Sequence, residues 1–556
     1  MYLWENPVLQ RELLVNLRQT RGFVLLLLYQ LLLALVVYFA WPQTERIDLT
    51  QRAEAAGAEN QALGQARRLA DMFFLGQYLL ACMMAPSFAA GAITLEKERK
   101  TYEMLLASPL RPAAIVSGKL VASVTHLLVL IVASLPIIVL CLPLGGISVY
   151  EVMAAYASLL ASVLFFAMVS IACSSYYRRT ASALVVSYLL ILPIALTLVA
   201  AWDWLSSYGS LRLFLGLTVF PAAAVVFSAL LFRQTARRLL RTPDVGSEGK
   251  EVVDLETEAE TAVGLVIQPD QFPDRLFAPP KRTSLMDDHA NPVYEKEIRS
   301  EIFSQGTLMM RLVIQISILL ALPLMAVCLF MNESYAQWYI AYVLLFNMLV
   351  GPVFSAGSLT SERERQTWEL LLATTLPRRT IVWGKLLAGL RVSTVLTLLL
   401  LWPVLLAAAL VSTYWSISSL ATLLGYLVLV TVTCVSTAQL AMCASSVMRR
   451  TSHAMMLAYA VVLILYCSPL AVEFFVTRFY PGTALSERIV WCGVVSPLAT
   501  VIHMPAAMPR SEGIAVAMGS GANWPLFAAH IGFVILENVF LALLTVLALR
   551  RHWTLE

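Results

Sequence analysis

Apolar residues gather along this chain into long runs. Twelve of them lie near 22–42, 72–95, 117–141, 151–175, 180–202 and 211–233, then near 308–331, 336–361, 381–411, 415–447, 452–476 and 525–550. A helix of roughly 20 apolar residues spans the hydrocarbon of a bilayer. Helices are the open-chain elements that satisfy their own backbone polar groups in lipid, so the pattern predicts an all-α integral membrane protein with about twelve transmembrane helices. A polar stretch, 234–290, separates the two sets of six. Its first part, TPDVGSEGKEVVDLETEAE, is acidic and lacks aromatic residues; its second, IQPDQFPDRLFAPPKR, is rich in proline. Neither has helical apolar periodicity, so the stretch reads as a cytoplasmic linker between two halves, 1–233 and 291–556.

Composition agrees. The 556 residues are 59% hydrophobic and 13% charged, against about 25% charged in soluble domains. The formal charge of +4 is too small to point to nucleic acid. Its placement says more. With the N-terminus inside, 29 of the 39 Lys and Arg fall on inner segments and 8 on outer ones. That bias predicts that both termini are cytoplasmic, with 43–71 and 477–524 outside. Trp202, Trp415 and Trp524 fall near span ends, where an interfacial aromatic belt places them. The 21 mostly polar residues before the first run lack the layout of a signal peptide.

The halves repeat a charged paragraph. Glu96 to Leu120 reads EKERKTYEMLLASPLRPAAIVSGKL, and Glu362 to Leu386 reads ERERQTWELLLATTLPRRTIVWGKL. Extended back to Pro86 and Pro352, the 35-residue windows agree at 19 positions with an offset of 266. NPVLQRE at Asn6 corresponds to NPVYEKE at Asn291, and Arg178-Arg179-Thr180 to Arg449-Arg450-Thr451. Six spans per half is an even number, so the duplication is parallel, with a pseudo-twofold along the membrane normal. The Asn-Pro segments read as N-capped amphipathic helices on the inner membrane surface; an anchor and a functional elbow require the same pattern. In the loop, Glu96 to Ala107 reads as a helix leaving the bilayer, broken by Pro109 and Pro112. A second short helix is expected from near Ala113, entering the third span after Gly118-Lys119. A stop signal would explain the charges. It would not explain why the acids, Tyr102 and Trp368, LLA and GKL recur, so the loops read as protein-docking surfaces. Tyr102 and Trp368 are then candidate ring anchors beside Glu103 and Glu369.

No catalytic, cofactor-binding or metal-binding set is legible. Gly118-Lys119 and Gly384-Lys385 are followed by Leu, and Ala113 and Arg379 stand where a phosphate loop needs glycine, so the chain is not expected to hydrolyse nucleotide. Asp287-Asp288-His289 reads as a polar turn. The eight cysteines fall mostly inside apolar runs and form no CxxC. Ionisable residues inside spans are His126, Arg311, Arg391 and Glu537. Arg311 and Arg391 lie close enough to span ends to snorkel. Glu537 is the intramembrane candidate, with Asn538, Gln439 and His530 as candidate partners.

The repeated loop resembles that of the ABC-2 type permeases, the membrane subunits of ABC exporters. The resemblance rests on Glu96, Lys97, Glu98, Thr101, Glu103, Leu105, Leu106, Ser108, Pro109, Gly118 and Lys119, then on Glu362, Glu364, Thr367, Glu369, Leu371, Leu372, Gly384 and Lys385. The second copy departs where Thr374-Thr375 replaces Ser-Pro, so its bend is expected to differ. The resemblance implies a fused dimer. Each loop would couple to an ATP-binding cassette ATPase subunit, either two copies or two different chains, with Arg99, Tyr102, Arg365 and Trp368 sharing that surface. Arg178, Arg179, Arg449 and Arg450 would form a second cytoplasmic contact. It also implies the cytoplasmic membrane of a prokaryote and no cofactor. An ion-coupled secondary transporter and a membrane scaffold are the alternatives; parallel repeats occur among carriers too.

Overall fold

The computed structural model describes residues 52–98, 100–141, 148–177, 180–205, 209–239, 291–299, 325–331, 336–364, 366–411, 417–479, 483–504 and 523–554, with helical residues 7–11 and scattered positions in 27–38 and 319–323, and Trp415. Helices are the only regular elements among them. They form two compact units, Met1–Lys250 and Glu251–Glu556. Ten described helices are long and apolar enough to cross a bilayer, and each covers a predicted span. The runs 22–42 and 308–331 fall largely outside the described residues.

The first unit contains α1 (Arg52–Ala89), α2 (Gly91–Glu98), α3 (Tyr102–Ala107), α4 (Pro112–Cys141), α5 (Val149–Tyr176), α6 (Thr180–Trp204), α7 (Gly209–Phe214) and α8 (Phe220–Leu239). Helix α5 is its centre: α1, α4, α6 and α8 pack on it, and Phe166, Met168 and Ile171 are wholly buried. Its start is a reciprocal cap, with the Glu151 N–H donating to the Ser148 hydroxyl and the Ser148 N–H to the Glu151 carboxylate, at 3.1 and 3.0 Å. A π-helical turn, Leu215–Val219, joins α7 to α8. Residues 234–239, which the sequence assigns to the linker, are the last turn and a half of α8.

The second unit contains α9 (Pro292–Arg299), α10 (Ala336–Glu364), α11 (Trp368–Leu372), α12 (Arg378–Leu410), α13 (Ile417–Val447), α14 (Thr451–Val462), α15 (Ser468–Phe479), α16 (Ala484–Ile489), α17 (Pro497–Ile502) and α18 (Trp524–Thr554). Here α13 is central, contacting α10, α12, α14 and α18. Residues 484–502, expected as part of an outer loop, are short helical pieces folded back into the unit. Leu498, Ala499 and Val501 are buried, and the Tyr426 hydroxyl donates to the Met504 carbonyl.

Lipid supplies no hydrophobic drive between helices, so buried polar contacts decide much of their register. The second unit has one at Asn347 on α10. Its Nδ2 lies 3.0 Å from Thr397 Oγ1 and 3.2 Å from Ser393 Oγ on α12, and the Thr437 hydroxyl on α13 donates to its Oδ1 at 3.1 Å. Replacing Asn347 by Leu removes all these bonds while keeping the branched shape. Thermal unfolding in detergent is expected to show a loss of about 0.6–1.7 kcal/mol, the average-to-maximum worth of an interhelical bond in a membrane protein. An unchanged Tm would mean the amide does not hold the three helices together.

Candidate functional site

The sequence predicts an unbroken helix over 96–107, and the structure corrects this. Helix α2 ends at Glu98, and Lys100 takes a left-handed backbone, φ 58°. The Thr101 N–H donates to the Glu96 carbonyl at 2.9 Å, and the Lys100 N–H to the Lys97 carbonyl at 3.2 Å. This is the helix ending usually made by glycine. Gln366 repeats it at φ 59°, with Thr367 N–H to Glu362 O at 2.9 Å and Gln366 N–H to Arg363 O at 3.2 Å. Helix propensity is high through both stretches, but tertiary bonds override it. The helix expected from near Ala113 starts at Pro112 as α4 and runs into the third span without a break at Gly118-Lys119.

Those bonds centre on one carboxylate per unit. Glu96 accepts from the Thr101 hydroxyl, just past the turn, and from Lys119 on α4 at 2.9 Å. Glu362 accepts from the Thr367 hydroxyl and from Lys385 on α12 at 3.0 Å. The next residue caps a neighbouring helix, where unsatisfied carbonyls attract cations. Lys97 donates to the carbonyls of Ser174, Ser175 and Tyr177 at 3.1, 2.7 and 2.9 Å. Arg363 donates to those of Met448 and Ser446 at 2.8 and 3.2 Å. Then Glu98 accepts from the Thr180 N–H at 2.7 Å, and Glu364 from the Thr451 N–H at 2.9 Å. The loop and the turn bearing the paired arginines are thus one polar assembly. Arg449 and Arg450 stand exposed beside it; Arg99, Arg178, Arg179 and Arg365 lie outside the described residues.

In the second unit the amphipathic α9 joins the assembly. Asn291 caps it as predicted, accepting from the Val293 N–H at 3.0 Å, and also donates to the Thr380 carbonyl at 2.9 Å. A Cβ on Gly384 would stand 2.9 Å from the Asn291 side chain, so the Gly of the Gly-Lys pair is the space α9 occupies. Lys385 also donates to Glu297 at 2.6 Å, and Lys296 to Glu362 at 3.2 Å. The corresponding Asn6 lies outside the described residues.

The rings expected to face a partner turn inward. Tyr102 and Trp368 are each 8% exposed, packed among Ile93, Met168 and Leu239 in one unit and Leu359, Met442 and Leu549 in the other. Burial raises the Tyr102 phenol above its ordinary value, with the Arg238 charge working the other way. The left-handed residue rotates each short helix so that the ring meets the core and the next two side chains point out. Glu103 and Glu369 are exposed as expected. Beside them stand Met104, 76% exposed, and Leu370, 71% exposed, which sequence reasoning missed although the two occupy equivalent apolar positions. Leu106 is half-buried against the core. The bends differ after α3 and α11: Ser108 is extended at ψ 149°, whereas Ala373 stays helical at ψ −12°.

Within the spans, Glu537 does not meet its candidate partners. The Tyr466 hydroxyl donates to it at 2.9 Å, from a π-helical turn, Leu463–Cys467. Asn538, the next residue and so on a different face of α18, donates to Ser436 at 2.9 Å, and His530 pairs with the Val494 carbonyl at 2.7 Å. Arg391 reaches Tyr294 of α9 at 3.4 Å, as a snorkelling arginine would. Asp287-Asp288-His289, Arg311 and the side chain of His126 lie outside the described residues.

A family profile described as ABC-2 family transporter protein matches residues 7–211 and 292–484, one region in each half of the chain. Comparisons with curated proteins and with solved structures give no match.

Two of the three acids of each loop predict different mutational outcomes. Glu362→Ala strips a buried carboxylate from Lys385, and breaking a buried pair costs about 3–5 kcal/mol, at the low end here because Glu297 remains. Glu369→Ala, at the surface, is expected to stay within about 0.5 kcal/mol. Equal losses in thermal unfolding would contradict the division into bracing and exposed acids.

Proposed function

This chain belongs to the ABC-2 transporter family, as a membrane permease of an ABC transporter, and we propose that its two loops are docking surfaces for two separate ATPase subunits. The observation that carries the proposal is the matched presentation of Met104 and Leu370. A single exposed apolar residue is ordinary. Here the same position in both halves carries one, next to an exposed acid, on a short helix fixed from behind by Glu96 or Glu362. Rigid placement lowers the entropy lost on binding, and an apolar side chain so held is shaped to fill a pocket on a partner while the acid beside it pairs with a cation. The exposed pair Arg449 and Arg450 extends the surface, held next to the loop by the Glu364–Thr451 bond.

In this reading one polypeptide supplies both halves of the pathway, which is why the loop occurs twice. ATP hydrolysis belongs to the partners. The loops and both termini face the cytoplasm of a prokaryote, and transport runs outward. Movement of the ATPase is delivered through α3 and α11 to the carboxylate–lysine bonds, and through them to α4 and α12.

The test is a Met104→Ala, Leu370→Ala double variant, copurified with its ATP-binding cassette partner. Truncating interface anchors costs more than about 1–2 kcal/mol, so copurification or permease-stimulated ATP turnover is expected to fall about tenfold or more, with the permease's own Tm unchanged. Tyr102→Ala is expected to do the reverse first, lowering permease stability by about 3–5 kcal/mol as core ring deletions do. Unchanged turnover in the double variant would remove the docking assignment.

A further inference from the structure

Four helix segments of the first unit meet at the end of the bundle remote from the loop, and bring together charged side chains that the coupling role does not use. Arg67 and Asp71 lie one turn apart on α1, Glu151 in the first turn of α5, Trp202 near the end of α6 and Arg212 on α7. Arg212 donates to Asp71 at 2.9 Å, with its guanidinium 4.4 Å from the centre of the Trp202 ring. Arg67 stands 3.6 Å from Glu151. They line a cavity of about 40 Å³, enough for about three waters or one small charged group.

The site is built. A Cβ on Gly216 would come within 2.9 Å of the Trp202 ring, so the glycine admits the indole that carries Arg212. Gly216 sits in the π-helical turn, and the Ser158 hydroxyl donates to its carbonyl at 2.7 Å. Such turns are kept inside helices mostly at functional positions. Arg212 is only 8% exposed, yet its buried Nε–H has no acceptor. A buried unmatched donor on a charged group is costly, and Arg212 lines the cavity.

The charges define what fits. A neutral ligand gains nothing from the two charge pairs. A simple anion meets Asp71 and Glu151 as well as the two arginines. A group with an anionic oxygen next to an ammonium satisfies both signs. A primary ammonium offers N–H donors to the two carboxylates; a trimethylammonium offers none and needs an aromatic face, while Trp202 already carries Arg212. We propose that this cluster binds a phosphoethanolamine-type zwitterion, with the phosphate oxygens on the Arg67 and Arg212 guanidiniums and the ammonium on Asp71 and Glu151. The ligand is the headgroup of phosphatidylethanolamine or the free glycerophosphodiester, and the site is independent of the ATPase-coupling reading.

The full chain is reconstituted in phosphatidylcholine vesicles alone, or with phosphatidylethanolamine or phosphatidylglycerol added, and the lipid retained after mild detergent extraction is identified by native mass spectrometry. Selective retention of phosphatidylethanolamine is expected, falling about tenfold or more in Arg67→Gln and in Glu151→Gln as charge-assisted bonds are lost. Both variants leave the Arg212–Asp71 pair intact, and glutamine preserves the cap at Ser148. Displacement by added glycerophosphoethanolamine supports the free headgroup as ligand; selective retention without displacement supports the lipid. Equal retention of the three lipids without displacement, preference for phosphatidylglycerol, or unaltered retention in both variants overturns the proposal.

Discussion

One carboxylate in each half, the half-buried Glu96 or the buried Glu362, decides how the surrounding segments lie. It ends one helix, takes the hydroxyl of the residue after the turn, and meets a lysine on the next long helix. A charge taken out of water is tolerated only when its bonds are filled, so the three segments are held in one geometry or the carboxylate is left exposed to a large penalty. That geometry permits a left-handed Lys100 and Gln366, at about 1–2 kcal/mol each for a residue other than glycine, because the helix-ending bonds and the carboxylate over-determine the turn. The turn in turn sets which side of the short helix faces out.

The charged paragraph therefore has two layers. Its inner layer, Glu96, Lys97, Glu98, Thr101, Tyr102 and Lys119 with their counterparts, closes hydrogen bonds and a small apolar core. Its outer layer is narrower: Glu103 and Met104, Glu369 and Leu370. Recurrence in the sequence marks both layers alike, since a bracing residue and a docking residue are equally hard to replace. Only the contacts that each side chain makes separate them. Lys97 and Arg363 illustrate the inner layer: a cation is favoured at a helix C-terminus, and either side chain reaches.

Much of the architecture was legible in the sequence because apolar length is a direct physical requirement of lipid. The described spans, the duplication and the cap at Asn291 follow from runs, spacing and residue type. The turn at Lys100 was not legible, because the residue that normally marks it is glycine and the flanking sequence favours helix. The inward direction of Tyr102 and Trp368 follows from that same turn and was lost with it. The Tyr466–Glu537 bond depends on a π-helical turn that no local pattern announces, and the Arg212 cluster is drawn from positions spread over 67–212. The two halves also diverge where function permits: the short helices of 484–502 have no described counterpart in the first unit, and the charged cavity is described in the first unit alone.

The central claim is that one chain holds two ATPase subunits through equivalent points. It is tested most directly by placing a photo-crosslinking residue at position 104, at position 370, or at both, in the assembled transporter. The account predicts that each single position captures one ATPase subunit and that the double variant captures two on the same polypeptide. Capture at only one position, or of no ATPase from either, would contradict it.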